Sequence, residues 1–230
     1  MLFREEDEDL EILPFADRTG AGLMLAGRLA ACSGRNDVIV LGLPRGGVPV
    51  AAAVASALRL QVDVFVVIKL GTPWEPELAM GAIAEGGVQV LDLSLMKLLG
   101  ISEQEMQEVV TAAEKELESQ LSTYRGGRPT LELEGKTVIL VDDGIATGCS
   151  MLAAIAAIRR KGTAKVVVAV PVSPASGCSQ IRMEADEFVS VAEPELFVAV
   201  SQWYRDFVQV SDEDVQRLLQ QAESSRARAA

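Results

Sequence analysis

Five short runs of β-branched and aliphatic residues recur along the chain, at 37–43, 62–68, 137–141, 165–171 and, less markedly, 186–191. Each is too short for a helix, and the first four lack the polar alternation of a half-exposed strand; they read as strands buried on both faces. The segments between them carry helical spacing. Asp17 caps a helix running to about Ala31, with Met24, Leu25 and Leu29 on its buried stripe. Small residues make a helix of 48–58, and strong helix formers closing on three cations make another of 150–161. Ser102 and Glu105 form a capping box, after which Met106, Val109, Val110, Ala113, Leu117 and Leu121 mark one face of a long packing helix. Further helices follow from Pro174 to about Ala185 and from Ser211 to about Gln221, with a frayed tail. Strands alternating with helices predict a doubly wound α/β fold, a mainly parallel five-stranded sheet flanked by helices with right-handed crossovers. The pattern predicts one domain over 1–230, its core at about 17–200, behind a loose acidic arm at 1–14. A helical insertion is expected at about 94–124 and a C-terminal hood with its helix at about 197–222. Two prolines and four glycines in the seventeen residues 71–87 predict a long loop flanking a short strand, with 88–91 as its hairpin partner.

The chemistry concentrates after the third run. Asp142 and Asp143 stand at its carboxyl end, where open α/β sheets place ligands, and are followed by the small-residue loop Gly144, Ile145, Ala146, Thr147, Gly148 and the helix start at Cys149 and Ser150. Strand, glycine-threonine loop and helix aim backbone N–H groups and the positive end of a helix dipole at one point, a phosphate cradle. Two carboxylates beside a phosphate repel it unless something separates them. A ribose does so, its vicinal hydroxyls donating to the acids while its 5′-phosphate lies in the loop. An Asp-Gly pair alone is more simply an N-capping βα turn; the longer pattern is more specific. Arg45, Gly46 and Gly47 follow the first strand, and the glycines permit close backbone approach to an anion. Taken alone that segment is equally a tight turn with an exposed arginine; beside a phosphate loop the anion reading is favoured.

The stretch Val141-Asp-Asp-Gly-Ile-Ala-Thr-Gly148 resembles the 5-phosphoribosyl-1-pyrophosphate (PRPP) binding motif of type I phosphoribosyltransferases. The resemblance implies that Asp142 and Asp143 hold the ribose hydroxyls near Mg²⁺, and that residues 144–150 hold the 5′-phosphate. It also implies that Arg45, Gly46 and Gly47 grip the pyrophosphate, commonly beside a non-proline cis peptide, and that Lys69 reaches it too. Residues 69–88 take the place of the family's flexible loop, with Glu75, Glu77 and Glu85 either contacts or solvated. Arg125 and Arg128 read as a surface turn. Phe197 and Trp203 are candidates to line the acceptor pocket, although Trp203 and Phe207 also read as a satellite core. Ala146 replaces the aspartate of hypoxanthine-guanine enzymes and weakens a 6-oxopurine substrate. The implied activity is Mg-dependent transfer of 5-phosphoribosyl from PRPP to a ring nitrogen of a nucleobase or related acceptor, in nucleotide metabolism, by a homodimer or higher homo-oligomer. Two alternatives stay open: a regulator of the same fold that binds PRPP without turnover, and a phosphatase with Asp142 or Asp143 as nucleophile.

Charge and composition narrow the classes. A net charge of −12 disfavours nucleic-acid and anionic-membrane partners, and no apolar run approaches membrane-span length. The start of the chain is acidic, unlike a secretory signal. Three cysteines without metal-type spacing fit a reducing cytoplasm. The chain has no histidine, which excludes Ser-His-Asp and Cys-His catalysis and His-ligated metals.

Overall fold

The computed structural model describes residues 14–126 and 131–229. Five strands, β1 (Val38–Gly42), β2 (Gln61–Val64), β6 (Thr137–Val141), β7 (Lys165–Val172) and β8 (Glu187–Ala192), form a parallel sheet in the order β2-β1-β6-β7-β8. The central three strands are almost wholly buried, as their unbroken apolar runs require. Chain order reverses at β1 and β6, so the loops after these two strands emerge side by side at a switch point. That adjacency is what the two anion-type loops need in order to meet on one ligand.

Helices cover both faces. On one side α1 (Arg18–Arg28), capped by Asp17 accepting from the Gly20 N–H at 2.7 Å, packs on α2 (Gly47–Leu58). Gly22 makes this possible, since a Cβ there would stand 2.7 Å from both Ala53 Cβ and the Val50 carbonyl oxygen. On the other side lies α5 (Cys149–Arg160), with Met151, Ile155 and Ile158 buried against the sheet.

The run at 62–68 does not form one strand. β2 ends at Val64, and β3 (Val67–Gly71) begins an antiparallel sheet with β4 (Ala79–Ala84) and β5 (Val88–Leu91). Between them Phe65 and Val66 are both fully buried but in different clusters, Phe65 with α5 and Val66 with the cluster around β3 and β4. A chain turning between two cores stays apolar throughout, so its composition does not mark the break. The second sheet also replaces much of the loop expected at 69–88. Besides the tight turn at 85–87, only 72–78 is loop, tied by Thr72 N–H to the Leu78 carbonyl at 2.9 Å and by Thr72 Oγ1 to the Glu75 carbonyl at 3.0 Å.

This small sheet lies between α5, which meets Ala82 and Ala84, and α4 (Glu103–Arg125), which meets Ile68, Leu70 and Ile83 through Val110, Ala113 and Leu117. The Ser102–Glu105 capping box is formed. A short helix α3 (Leu93–Leu99) precedes it, and α6 (Ser179–Glu184) starts later than Pro174. The last helix, α7 (Asp212–Ala229), continues through the tail that composition suggested would fray. Arg125 is not a surface cation. It is buried, with Nη1 and Nη2 donating to the two Glu85 carboxylate oxygens at 2.8 and 2.9 Å and Nη2 also to the Val64 carbonyl, beside Asp63. Arg128 and the arm at 1–13 lie outside the described residues. Among the described residues no helix is long and apolar enough to cross a membrane.

Candidate functional site

The paired strands β1 and β6 deliver 43–47 and 142–150 to the same edge of the sheet, where Leu43 N–H donates to the Val141 carbonyl at 2.9 Å. The two loops touch through glycine. A Cβ on Gly46 would lie 2.0 Å from Asp143 Oδ2, and one on Gly47 would lie 2.6 Å from the Val141 carbonyl oxygen. These glycines therefore admit the acid pair itself, a closer reason for them than approach to a ligand. The Pro44–Arg45 peptide is cis, as the resemblance implied for this turn.

Both carboxylates are confined. Asp142 Oδ1 accepts the Asp143 N–H at 2.8 Å. Asp143 Oδ2 accepts from Arg18 Nε at 2.8 Å, and the Asp143 carbonyl accepts from the Tyr204 hydroxyl at 2.5 Å. Burial holds Asp142 well above the usual carboxylate range, and the neighbouring charge of Asp143 adds to this. Burial raises Asp143 also, with Arg18 pulling it back. Tyr204 is driven upward by burial and by Asp143, so it stays a neutral hydroxyl donor.

The loop beyond has the make-up of an anion cradle. Among the described residues, the N–H groups of Gly144, Ala146, Thr147 and Gly148 donate to no protein acceptor. Cys149 and Ser150 open α5, so their N–H groups are first-turn donors without an intrahelical partner. Gly148 adopts φ +80° at the N-cap, and its Cβ would strike Ile181 at 2.7 Å. Ala146 and Thr147 are exposed. Ile145 differs: its side chain is buried in the core and its N–H is bound to the Val172 carbonyl at 3.0 Å.

The other sequence-derived candidates are more dispersed. Arg45 is exposed, with Nη1 3.9 Å from Asp212 at the start of α7. Lys69 lies within β3 of the second sheet rather than at an end of the parallel sheet, its Nζ 3.1 Å from Glu77. Glu85 belongs to the buried Arg125 pair, at the end of β4. Phe197 and Trp203 sit in a satellite cluster with Phe15, Val172, Tyr204 and Phe207. That cluster borders the acid loop, since a Cβ on Gly144 would meet Val200 at 2.7 Å.

Two residues escaped sequence reasoning. Arg18 binds Asp143, and Tyr204 holds its backbone. One signal was present for Arg18: a cation in a helix's first turn opposes the macrodipole and calls for a compensating partner. Tyr204 was concealed by its neighbours, which read as a satellite core.

The profile of the Phosphoribosyl transferase domain matches residues 19–207. A Mycobacterium tuberculosis H37Rv protein provisionally named a phosphoribosyl transferase is 46% identical over 215 residues, covering 94% of this chain and 48% of its own length. The chain thus spans about half the length of the curated relatives it matches. The crystal structure of TT1426 from Thermus thermophilus superposes with a TM-score of 0.77 at 40% identity, covering 91% of this chain and 99% of that one. Motif, strand order and these likenesses agree: the chain belongs to the phosphoribosyl transferase family.

Proposed function

We propose that this domain transfers the 5-phosphoribosyl group of PRPP to a ring nitrogen of a nucleobase or a related acceptor. The observation that carries the reading is the adjacency of the two loops, whose glycines bring Arg45–Gly47 and the Asp142–Asp143 pair within van der Waals reach. In this reading the free N–H groups of 144–150 and the α5 dipole hold the 5′-phosphate, with Thr147 donating its hydroxyl. Asp142 and Asp143 accept the ribose hydroxyls. Gly46 and Gly47, with Arg45 swung from Asp212, grip the pyrophosphate, and Lys69 approaches it from β3. Phe197 and Trp203 line the acceptor side. Ile145 serves by packing, since its N–H is already engaged.

The reaction breaks the C1–O bond to pyrophosphate and forms a C1–N bond, with positive charge developing on the ribose in between. The chain contributes orientation of the ribose and anion sites that favour the leaving group. No histidine is needed for this. Mg²⁺ fits the donor set: Asp142 and Asp143 present adjacent carboxyl oxygens at the strand end, and a cation of this type takes one or two carboxylates plus substrate oxygens. Held by Asp142 and Asp143, such an ion would supply positive charge to offset that of the pyrophosphate.

Pyrophosphate release from Mg–PRPP across a panel of nucleobases and small ring-nitrogen acceptors tests the reading, with Asp142→Asn/Asp143→Asn as control. Release with one acceptor, abolished in the double variant, is the expected result. Unchanged PRPP affinity in that variant overturns the site. PRPP binding with no release from any acceptor would instead favour a regulator.

A further inference from the structure

Arg18 occupies an unfavourable position, the first residue of α1, where the helix dipole repels a cation. Its side chain is nonetheless only 11% exposed and firmly engaged. Nε donates to Asp143 Oδ2 at 2.8 Å, Nη1 donates to the Val208 carbonyl at 2.7 Å, and the guanidinium carbon lies 3.8 Å from the Phe207 ring centroid. The planar fork thus joins one acid of the site to the segment 204–208. That segment is itself tied to the acid loop through Tyr204 and to the stretch before α1 through Arg205, whose N–H donates to the Phe15 carbonyl at 2.8 Å. Phe15, Tyr204 and Phe207 pack in succession with tilted rings, centroids 5.3 and 5.1 Å apart. Asp143 Oδ2 is held against Gly46 at a point no other residue would tolerate. Arg18 supplies the side-chain hydrogen bond that sets the rotation of this carboxylate against Gly46.

We propose that Arg18 is a positioning residue: it fixes the Asp143 carboxylate for a ribose hydroxyl and couples occupancy of the sugar site to the aromatic segment 203–208. This rests on the reading of 142–150 as a sugar-phosphate site. Lysine keeps the charge but not the fork that reaches Asp143 and Val208 together, so the two substitutions separate charge from geometry.

The test titrates the full chain calorimetrically with ribose 5-phosphate and, separately, with inorganic pyrophosphate. For Arg18→Met, ribose 5-phosphate binding weakens at least about tenfold, as loss of a charge-assisted hydrogen bond implies, while pyrophosphate binding stays within about twofold. Arg18→Lys recovers part of the loss. In a Trp74→Phe background, Trp203 fluorescence responds to ribose 5-phosphate in the parent and not in Arg18→Met. Equal loss of both ligands, or loss of neither, overturns the proposal, since a merely structural role does not discriminate between them. If Arg18→Met fails to fold, Arg18→Lys decides by the same criterion, with a smaller ribose-selective loss expected. A parent chain that binds pyrophosphate but not ribose 5-phosphate, or neither, overturns the sugar-phosphate reading itself.

Discussion

Gly46 carries the tightest constraint in the site. Its missing side chain is the space into which the Asp143 carboxylate extends, so Gly46→Ala must displace either the acid or the 44–47 turn. Expected is a loss of PRPP affinity exceeding any loss of melting temperature, checked by titration and thermal denaturation of the same preparation. Asp142 poses the opposite case. Its carboxyl binds a proton more tightly folded than unfolded, so the folded state carries the excess protons. The stability that this contributes is complete below the ordinary carboxylate range and is lost as pH rises through the raised value. Asp142→Asn removes the loss. It should therefore raise the melting temperature near pH 7, and flatten the decline of stability on going from acid to neutral, while sacrificing ligand binding. A melting temperature that falls would show that Asp142 stabilises the fold instead.

At the scale of elements, the second sheet is held to the first by charge as well as by apolar packing. Arg125 at the end of α4 grips Glu85 at the end of β4 and the Val64 carbonyl at the end of β2, with Lys161 3.8 Å from Glu85. Removing one member leaves a buried charge. Arg125→Met should cost about 3–5 kcal/mol in urea denaturation, and the double variant Arg125→Met/Glu85→Gln less than that. Little of this was legible in the sequence. An arginine before two glycines reads as a turn, and its partner lies 40 positions away. By contrast the five parallel strands, the Asp17 and Ser102 caps and the α4 face were legible, because each rests on local spacing or on a neighbour three residues away. The strand–loop–helix geometry at 142–150 was legible for the same reason, being continuous in sequence. The break at Phe65–Val66 was not, since both of its sides are apolar. Arg18 and Tyr204 were not, because each acquires its meaning only when chain segments more than sixty residues apart come together.

At the scale of the molecule, the site is divided between strands at the centre of the sheet. Val38 pairs with Thr137 and Gly42 with Val141, about a hundred positions apart, and the ends of these pairings are the two loops. Pairing so distant in sequence is among the slower events available to a folding chain. The proposed ligand site thus has no local precursor: neither loop alone brings the acids and the arginine turn together, and any opening that separates β1 from β6 dismantles both the core and the site. Ligand should consequently slow hydrogen exchange across the paired central strands by a common factor, through global opening rather than by local fraying.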